Sequence, residues 1–146
     1  MKVLVAFDGT DHSILALDEA ARIADAEGAE ITVFSVVQPD ARGTKSGGHV
    51  GRPPHADLDG GMAQIYFRDR GIEVATKTSH GNPADEIVNE ARGGFDVIVL
   101  GARELGPIGR RLGSVSRKVV AAAPCPVVVA GKSGVKRFEP AAVAFA

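Results

Sequence analysis

Five short apolar runs, each separated from the next by a stretch with helical spacing, restrict this chain more than any other feature of its sequence. They occupy residues 3–7, 31–37, 72–78, 97–100 and 127–130. Val, Ile and Leu in near-continuous runs mark strands buried on both faces, because a half-exposed strand alternates with polar residues. After the first run, Asp8-Gly9-Thr10-Asp11 turns the chain into a helix with Ile14, Leu17, Ala21 and Ala24 on its apolar face and Asp18, Glu19 and Arg22 on others. Gly28 is placed to end it. Leu58, Met62 and Ile65 mark a second helix, weakened at its start by Gly60-Gly61. Asn82-Pro83-Ala84-Asp85 opens a third with a cap, a proline in the first turn and an acid at the positive end of the dipole. Its apolar face is Ala84, Ile87, Val88 and Ala91, and residues 114–122 form a fourth helix. Strands alternating with helices pair in parallel through right-handed crossovers. The predicted class is therefore α/β: a single doubly wound, Rossmann-like, five-stranded parallel sheet with helices on both faces.

Composition narrows what such a domain does. A length of 146 residues suits one domain. Only 5% of residues are aromatic, so the core is built from Val, Ile, Leu and Ala. Seventeen basic against 18 acidic residues exclude a nucleic-acid-coating role, which needs a basic excess, but leave room for a local phosphate site. Cys125 is the single cysteine, so no intramolecular disulfide forms, and between two prolines it reads as a buried, inert thiol. His12, His49, His55 and His80 share no ligand spacing, so no metal site is expected. Asp8, Asp11, His12 and Ser13 lack a nucleophile elbow, and no catalytic residue is assigned. The first residues lack the pattern of a signal peptide and no window is apolar enough to span a membrane, so a cytoplasmic protein without a membrane partner is expected.

In open α/β sheets ligands bind beyond the carboxyl ends of the strands. Three segments meet there: Ala6-Phe7-Asp8-Gly9, Val36-Val37, and residues 101–116. The last reads GARELGPIGRRLGSVS, with four glycines ahead of a helix opening Ser114-Val115-Ser116. Glycines admit backbone N–H groups to an anion, the helix terminus adds donors, and Arg103, Arg110 and Arg111 add charge. The plainer alternative is a flexible connection with Ser114 as an ordinary helix cap.

These residues resemble the universal stress protein family. Phe7-Asp8-Gly9-Thr10 matches its VDGS-like first strand end, and Gly81-Asn82-Pro83-Ala84-Asp85-Glu86-Ile87 its GxPAxEI segment. Asp96 to Arg103 matches D-x-I-V-x-G-x-R, Gly113 to Ser116 matches GSVS, and Ala123 to Ala130 matches an APCPVVVV-like end. The resemblance implies a nucleotide site with Ala6, Phe7, Asp8, Val36, Gly101, Arg103, Gly113, Ser114, Val115 and Ser116 around it. Asp8 would face the nucleoside, or act as a turn residue. The Val36 backbone would face adenine, or Val36 is simply a buried strand residue. ATP, accompanied by Mg²⁺, is the implied ligand. ATP-binding members carry G-x2-G-x9-G-S/T in this loop, whereas here Glu104 stands at the second glycine and only Leu105 to Leu112 precede Gly113. A carboxylate beside a triphosphate repels it, by about 1–4 kcal/mol in partly screened surroundings.

Three functions are consistent with this pattern: a regulatory nucleotide-binding protein, a dimerisation and interaction module that has lost tight ATP binding, and a nucleotide-dependent enzyme. The first is expected, with at most slow ATP hydrolysis. The resemblance also implies a homodimer through the last strand, where Val127-Val128-Val129 would be an exposed apolar edge. A family domain is expected over residues 1–131 and a tail over 132–146. Gly131-Lys132-Ser133-Gly134 reads as a flexible linker, and Phe138 and Phe145 as anchors that dock the tail on a partner subunit or beside a long loop at residues 38–55, the plainer alternative being a frayed terminus.

Overall fold

A computed structural model describes residues 1–39, 58–103 and 112–140. Along the chain run β1 (Lys2–Ala6), α1 (Asp11–Glu27), β2 (Glu30–Val37), α2 (Leu58–Arg68), β3 (Val74–His80), α3 (Pro83–Ala91), β4 (Val97–Gly101), α4 (Ser114–Ala122), β5 (Val127–Gly131) and β6 (Gly134–Phe138). One sheet has the order β3-β2-β1-β4-β5-β6. Its first five strands pair in parallel, and β6 pairs antiparallel to β5. The doubly wound α/β class expected from the sequence is observed, with six strands in place of five.

Side-chain alternation divides the core into two layers. Val3, Val5, Val97, Val99 and Val128 pack on one face with Leu17 and Ala20 of α1 and Ala63 and Phe67 of α2. Leu4, Ile98, Leu100, Val127 and Val129 pack on the other with Ile87 of α3 and Val119 of α4. Both faces being covered, the central strands read as unbroken apolar runs. The order reverses at β1 and β4, which pair directly while their helices leave on opposite faces. A crevice opens at their carboxyl ends.

Several local expectations are corrected. The third strand begins at Val74, not Ile72, because the Ile72 amide donates to the Phe67 carbonyl (2.9 Å) and closes the turn after α2. On α1, Ile14 is exposed, and Ala16 and Ala20 are buried with Leu17 and Ala21. Glu19 is only 7% exposed, and its charge is met by Arg22, whose Nε donates to Oε1 at 3.0 Å. On α2 the sheet-facing residues are Ala63 and Phe67, while Met62 and Ile65 point to solvent. The third helix is as expected: the Asn82 side chain accepts from the Asp85 amide at 3.1 Å, and Ala84, Ile87, Val88 and Ala91 are buried. The long loop expected at residues 38–55 lies from residue 40 onward outside the described residues, as do Phe145 and residues 104–111.

The carboxyl-terminal segment departs most from expectation. Gly131 and Gly134 are register partners, so Lys132-Ser133 is a two-residue hairpin turn and not a linker. Gly134 takes φ +141°, a conformation that residues with a Cβ rarely adopt. β6 lies along β5 with Val127↔Phe138, Val128↔Arg137 and Val129↔Lys136. Val127-Val128-Val129 is therefore no edge, and the dimer contact expected along it has no free strand to use. Phe138 does anchor the segment, but against the core of its own chain, beside Val127 and Val129. The strand left at the edge presents exposed Val135, Lys136 and Arg137, and cationic edge residues discourage further pairing. No helix among the described residues is long and apolar enough to cross a membrane.

If β6 shields β5, deleting residues 132–146 exposes a strand of three valines. The truncated protein is expected to lose roughly 5 °C or more of melting temperature and to self-associate in light scattering. A truncated chain that melts and scatters like the full one would show that β6 neither stabilises nor shields the edge.

Candidate functional site

A cleft of about 750 Å³ opens at the carboxyl ends of β1, β2 and β4. Its floor is set by hydrogen bonds at the end of β1. The Phe7 amide donates to the Phe34 carbonyl at 3.0 Å, and the buried Ser35 hydroxyl donates to the Phe7 carbonyl at 2.8 Å. Both polar backbone groups of Phe7 are thus tied to β2, and the turn after it starts from a fixed point. Thr10 ends that turn as the N-cap of α1, its hydroxyl accepting from the Ser13 amide at 3.3 Å. The same hydroxyl donates to Asp8 Oδ1 at 2.5 Å, and the Thr10 amide donates there at 3.0 Å. Partial burial pushes the Asp8 pKa up, but these two donors, helped by the Ser13 hydroxyl and the His12 charge, outweigh it and hold the carboxyl below 3.8. At neutral pH the cleft therefore carries a carboxylate, an acceptor for hydroxyl and amino groups.

The opposite wall is the start of α4. Gly113 is its N-cap and supplies no side-chain cap, and no acidic residue stands in the first turn. The first amides of an α-helix have no intrahelical acceptor, and the dipole leaves them positive. Ser116, a residue only 7% exposed, adds a hydroxyl with no hydrogen-bond partner among the described residues. Such a buried donor costs free energy until something satisfies it. One wall thus accepts protons and the other donates them.

Gly101 joins the two walls for a reason the sequence did not reveal. A Cβ there would lie 1.9 Å from the His12 carbonyl oxygen and 2.7 Å from its carbon. The glycine is required by the backbone of α1 crossing the end of β4, apart from any part in approaching a phosphate.

All ten residues predicted for the site line this one cleft: Ala6, Phe7 and Asp8 from β1 and its turn, Val36 from β2, Gly101 and Arg103 from the end of β4, and Gly113, Ser114, Val115 and Ser116 from α4. Arg103 is exposed. Glu104, Gly106, Gly109, Arg110 and Arg111 lie outside the described residues. His12, Ser35, Gln38, Pro83 and Ile87 also line the cleft and were not predicted there. Pro83 and Ile87 read in the sequence only as a helix start and a core position, and topology alone packs α3 against β2 and α4 beside the cleft. Among the described residues no group of three His, Cys, Asp or Glu is placed to hold a metal ion. Cys125 is buried away from the cleft, and burial, with the Asp96 charge, raises its thiol pKa.

The model of the universal stress protein family matches residues 1–131. The chain belongs to that family. The universal stress protein YxiE of Bacillus subtilis is 32% identical over 143 residues, spanning 88% of this chain and 97% of its own. Among solved structures, the universal stress protein from Archaeoglobus fulgidus superposes with a TM-score of 0.72 at 26% identity, covering 89% of this chain and 98% of that one. The Archaeoglobus fulgidus universal stress protein in complex with dAMP superposes at 0.69 with 25% identity, over 89% and 97% of the two chains. β6 begins at Gly134, beyond the residues that the family model matches.

Two substitutions check this geometry. Thr10→Val removes a donor from Asp8 and a cap from α1. The Asp8 carboxyl, followed by carbon NMR, is expected to titrate below 3.8 in the unmodified protein and to move upward in the variant. Since the folded pKa is the depressed one, Asp8 stabilises the fold above pH 3.8, and this fades as pH falls through the lower folded value. The lost cap costs about 1 kcal/mol. An unmoved Asp8 titration would show that Thr10 does not set its ionisation. Gly101→Ala is expected to destabilise by about 1–3 kcal/mol in denaturant unfolding, the usual cost of forcing atoms into occupied space. Unchanged stability would mean that α1 does not press on β4.

Proposed function

We propose that this universal stress protein binds an adenine nucleotide in the cleft between Asp8 and the start of α4, and acts as a cytoplasmic regulatory protein of the stress response. The single observation that carries the proposal is the polarity of the cleft: an ionised acceptor on one wall, and on the other helix amides without a side-chain cap beside a buried serine that has no hydrogen-bond partner among the described residues. A nucleoside phosphate has the matching polarity, with hydroxyl and amino donors at one end and an anion at the other. Ala6, Val36 and Val37 line the cleft near Asp8 and offer an apolar, strand-end surface for a base. The volume, about 750 Å³, falls in the ordinary range for small-molecule sites. The dAMP complex of the relative supports the same ligand class.

The sequence departures bear on the number of phosphates. Glu104 and the shortened loop oppose a triphosphate with its Mg²⁺, so ATP is expected to bind weakly and a nucleoside monophosphate comparatively well. The proposed role is one of binding, with no residue assigned to catalysis. A homodimer, which the family resemblance implies, belongs to this proposal only through a surface other than Val127-Val128-Val129, because β6 holds that strand.

Isothermal titration calorimetry tests the proposal. AMP is expected to bind with micromolar affinity and Asp8→Ala to weaken it about tenfold, the loss of a charged hydrogen-bond acceptor. Glu104→Gly should tighten ATP binding about fivefold. Absence of heat with AMP and ATP alike would reject an adenine-nucleotide site. Equal ATP affinity before and after the Glu104 change would reject repulsion as the obstacle.

A further inference from the structure

The sheet has two open edges, and the chain guards only one of them. β6, at one edge, is five residues long and exposes Lys136 and Arg137. β3, at the other, runs seven residues from Val74 to His80. Its register with β2 is unbroken from Ile31↔Val74 to Val37↔His80, so no bulge turns it away. It contains no proline or glycine, and Ala75, Thr76, Lys77, Thr78 and His80 are exposed. Lys77, its only Lys, Arg, Asp or Glu, is tied back: the ammonium donates to both carboxylate oxygens of Glu90 on α3, at 2.9 and 3.1 Å. A long exposed edge is a template for another strand unless charge, proline or a bulge guards it.

Pairing within the sheet fixes which backbone groups β3 has to offer. The Gly81 amide donates to the Val37 carbonyl at 3.0 Å. In a parallel pair the residues that bond one neighbour alternate along the strand, so Gly81, Ser79, Lys77 and Ala75 turn their N–H and C=O groups to β2. Val74, Thr76, Thr78 and His80 turn theirs outward. Side chains alternate as well. Thr76 lies on the α2 face, where a Cβ built on Gly60 would stand 3.5 Å from the Thr76 Cβ, and Lys77 lies on the α3 face.

We propose that a second copy of this chain docks on β3, antiparallel about a two-fold axis at Thr76, so that one continuous sheet runs through both copies. This rests on the homodimer reading of the proposed function and supplies the surface that β6 takes away at β5. A two-fold axis sets identical surfaces against each other, and β3 is complementary to itself in this register. Thr76 faces Thr76, and Val74 faces Thr78 of the other copy, so the residues with outward groups meet. Three such pairs, each exchanging two bonds, supply about six hydrogen bonds, the low end for an interface. The dimer is therefore weak and depends on protein concentration. Threonine and valine are β-branched and make favourable cross-strand pairs, while Ala75 falls opposite Lys77, so no like charges are directly opposed. The same contact at β6 would bring Lys136 and Arg137 of two copies together.

Sedimentation velocity and amide hydrogen exchange on the full chain test this. The protein is expected to pass from monomer to dimer as its concentration rises. Over the same range the amides of Val74, Thr76 and Thr78 should become protected, while those of Lys77 and Ser79, bonded to β2, should be protected throughout. That readout comes from the unmodified protein and does not depend on a variant folding. Thr76→Lys sets two cations opposite each other at the axis and should weaken the dimer about fivefold. Lys136→Glu, on β6, should leave it unchanged. A dimer whose Thr76 and Thr78 amides stay open, and whose strength survives Thr76→Lys, would overturn β3 as the interface and leave a homodimer through another surface. A chain that stays monomeric at every concentration would overturn the homodimer reading as well.

Discussion

The contact between the backbone of α1 and Gly101 is the constraint on which the rest of the site depends. With a hypothetical Cβ only 1.9 Å from the His12 carbonyl oxygen, the first turn of the helix sits where no side chain at position 101 fits. Buried Ala16 and Ala20 continue the close packing along the same helix. This approach makes the ends of β1 and β4 the two sides of one crevice. It also places Thr10, and through it Asp8, opposite the beginning of α4. The chain accepts a glycine at a strand end, with its entropic cost of about 0.5–1 kcal/mol relative to alanine, to bring those walls together.

The crevice is electrostatically asymmetric, with the Asp8 carboxylate on one wall and the uncapped start of α4 on the other. The Phe7 carbonyl and amide are both tied to β2, so the turn carrying Asp8 leaves from a rigid strand end. Thr10 then does two jobs with one hydroxyl, capping α1 and keeping Asp8 ionised. Across the cleft α4 begins without a side-chain cap and with Ser116 buried and, among the described residues, unpartnered. Helix α3 shows the contrast, since its Asn82 cap and its Asp85 and Glu86 satisfy the same kind of terminus from within the chain. Both starts reach the cleft, and of the two only that of α4 lacks a side-chain cap. A phosphate there would offset a cost of about 1–3 kcal/mol for the stranded hydroxyl, beyond what the helix dipole contributes.

Much of this was legible in the sequence, and the misses share a cause. The central strands announced themselves because burial on both faces leaves no polar alternation, and the ten residues inferred for the site all reach one cleft. The resemblance to universal stress proteins supplied Asp8 and Val36, which composition and spacing alone left as turn and core residues. Edge elements were harder to read. β6 has the sequence GVKRF, too polar to read as a buried strand, and pairs as an exposed edge strand because a two-residue turn folds it onto the open side of β5. On α2 the large residues Met62 and Ile65 looked like the core face, but the sheet leaves room for Ala63 and the ring of Phe67. His12 looked like an ordinary helix-start residue, since neither its nearness to Gly101 nor its bond to Thr10 can be inferred from spacing.

The central claim is that the two walls of this cleft hold the two ends of one nucleotide. Backbone amide chemical shifts recorded while AMP is added address it most directly, because they report both walls at once. Shifts are expected to concentrate at Ala6 to Asp8, at Val36 and at Gly113 to Ser116, with the largest at the amides opening α4. Changes confined to one wall, or scattered over residues distant from the cleft such as those of β6, would contradict the account.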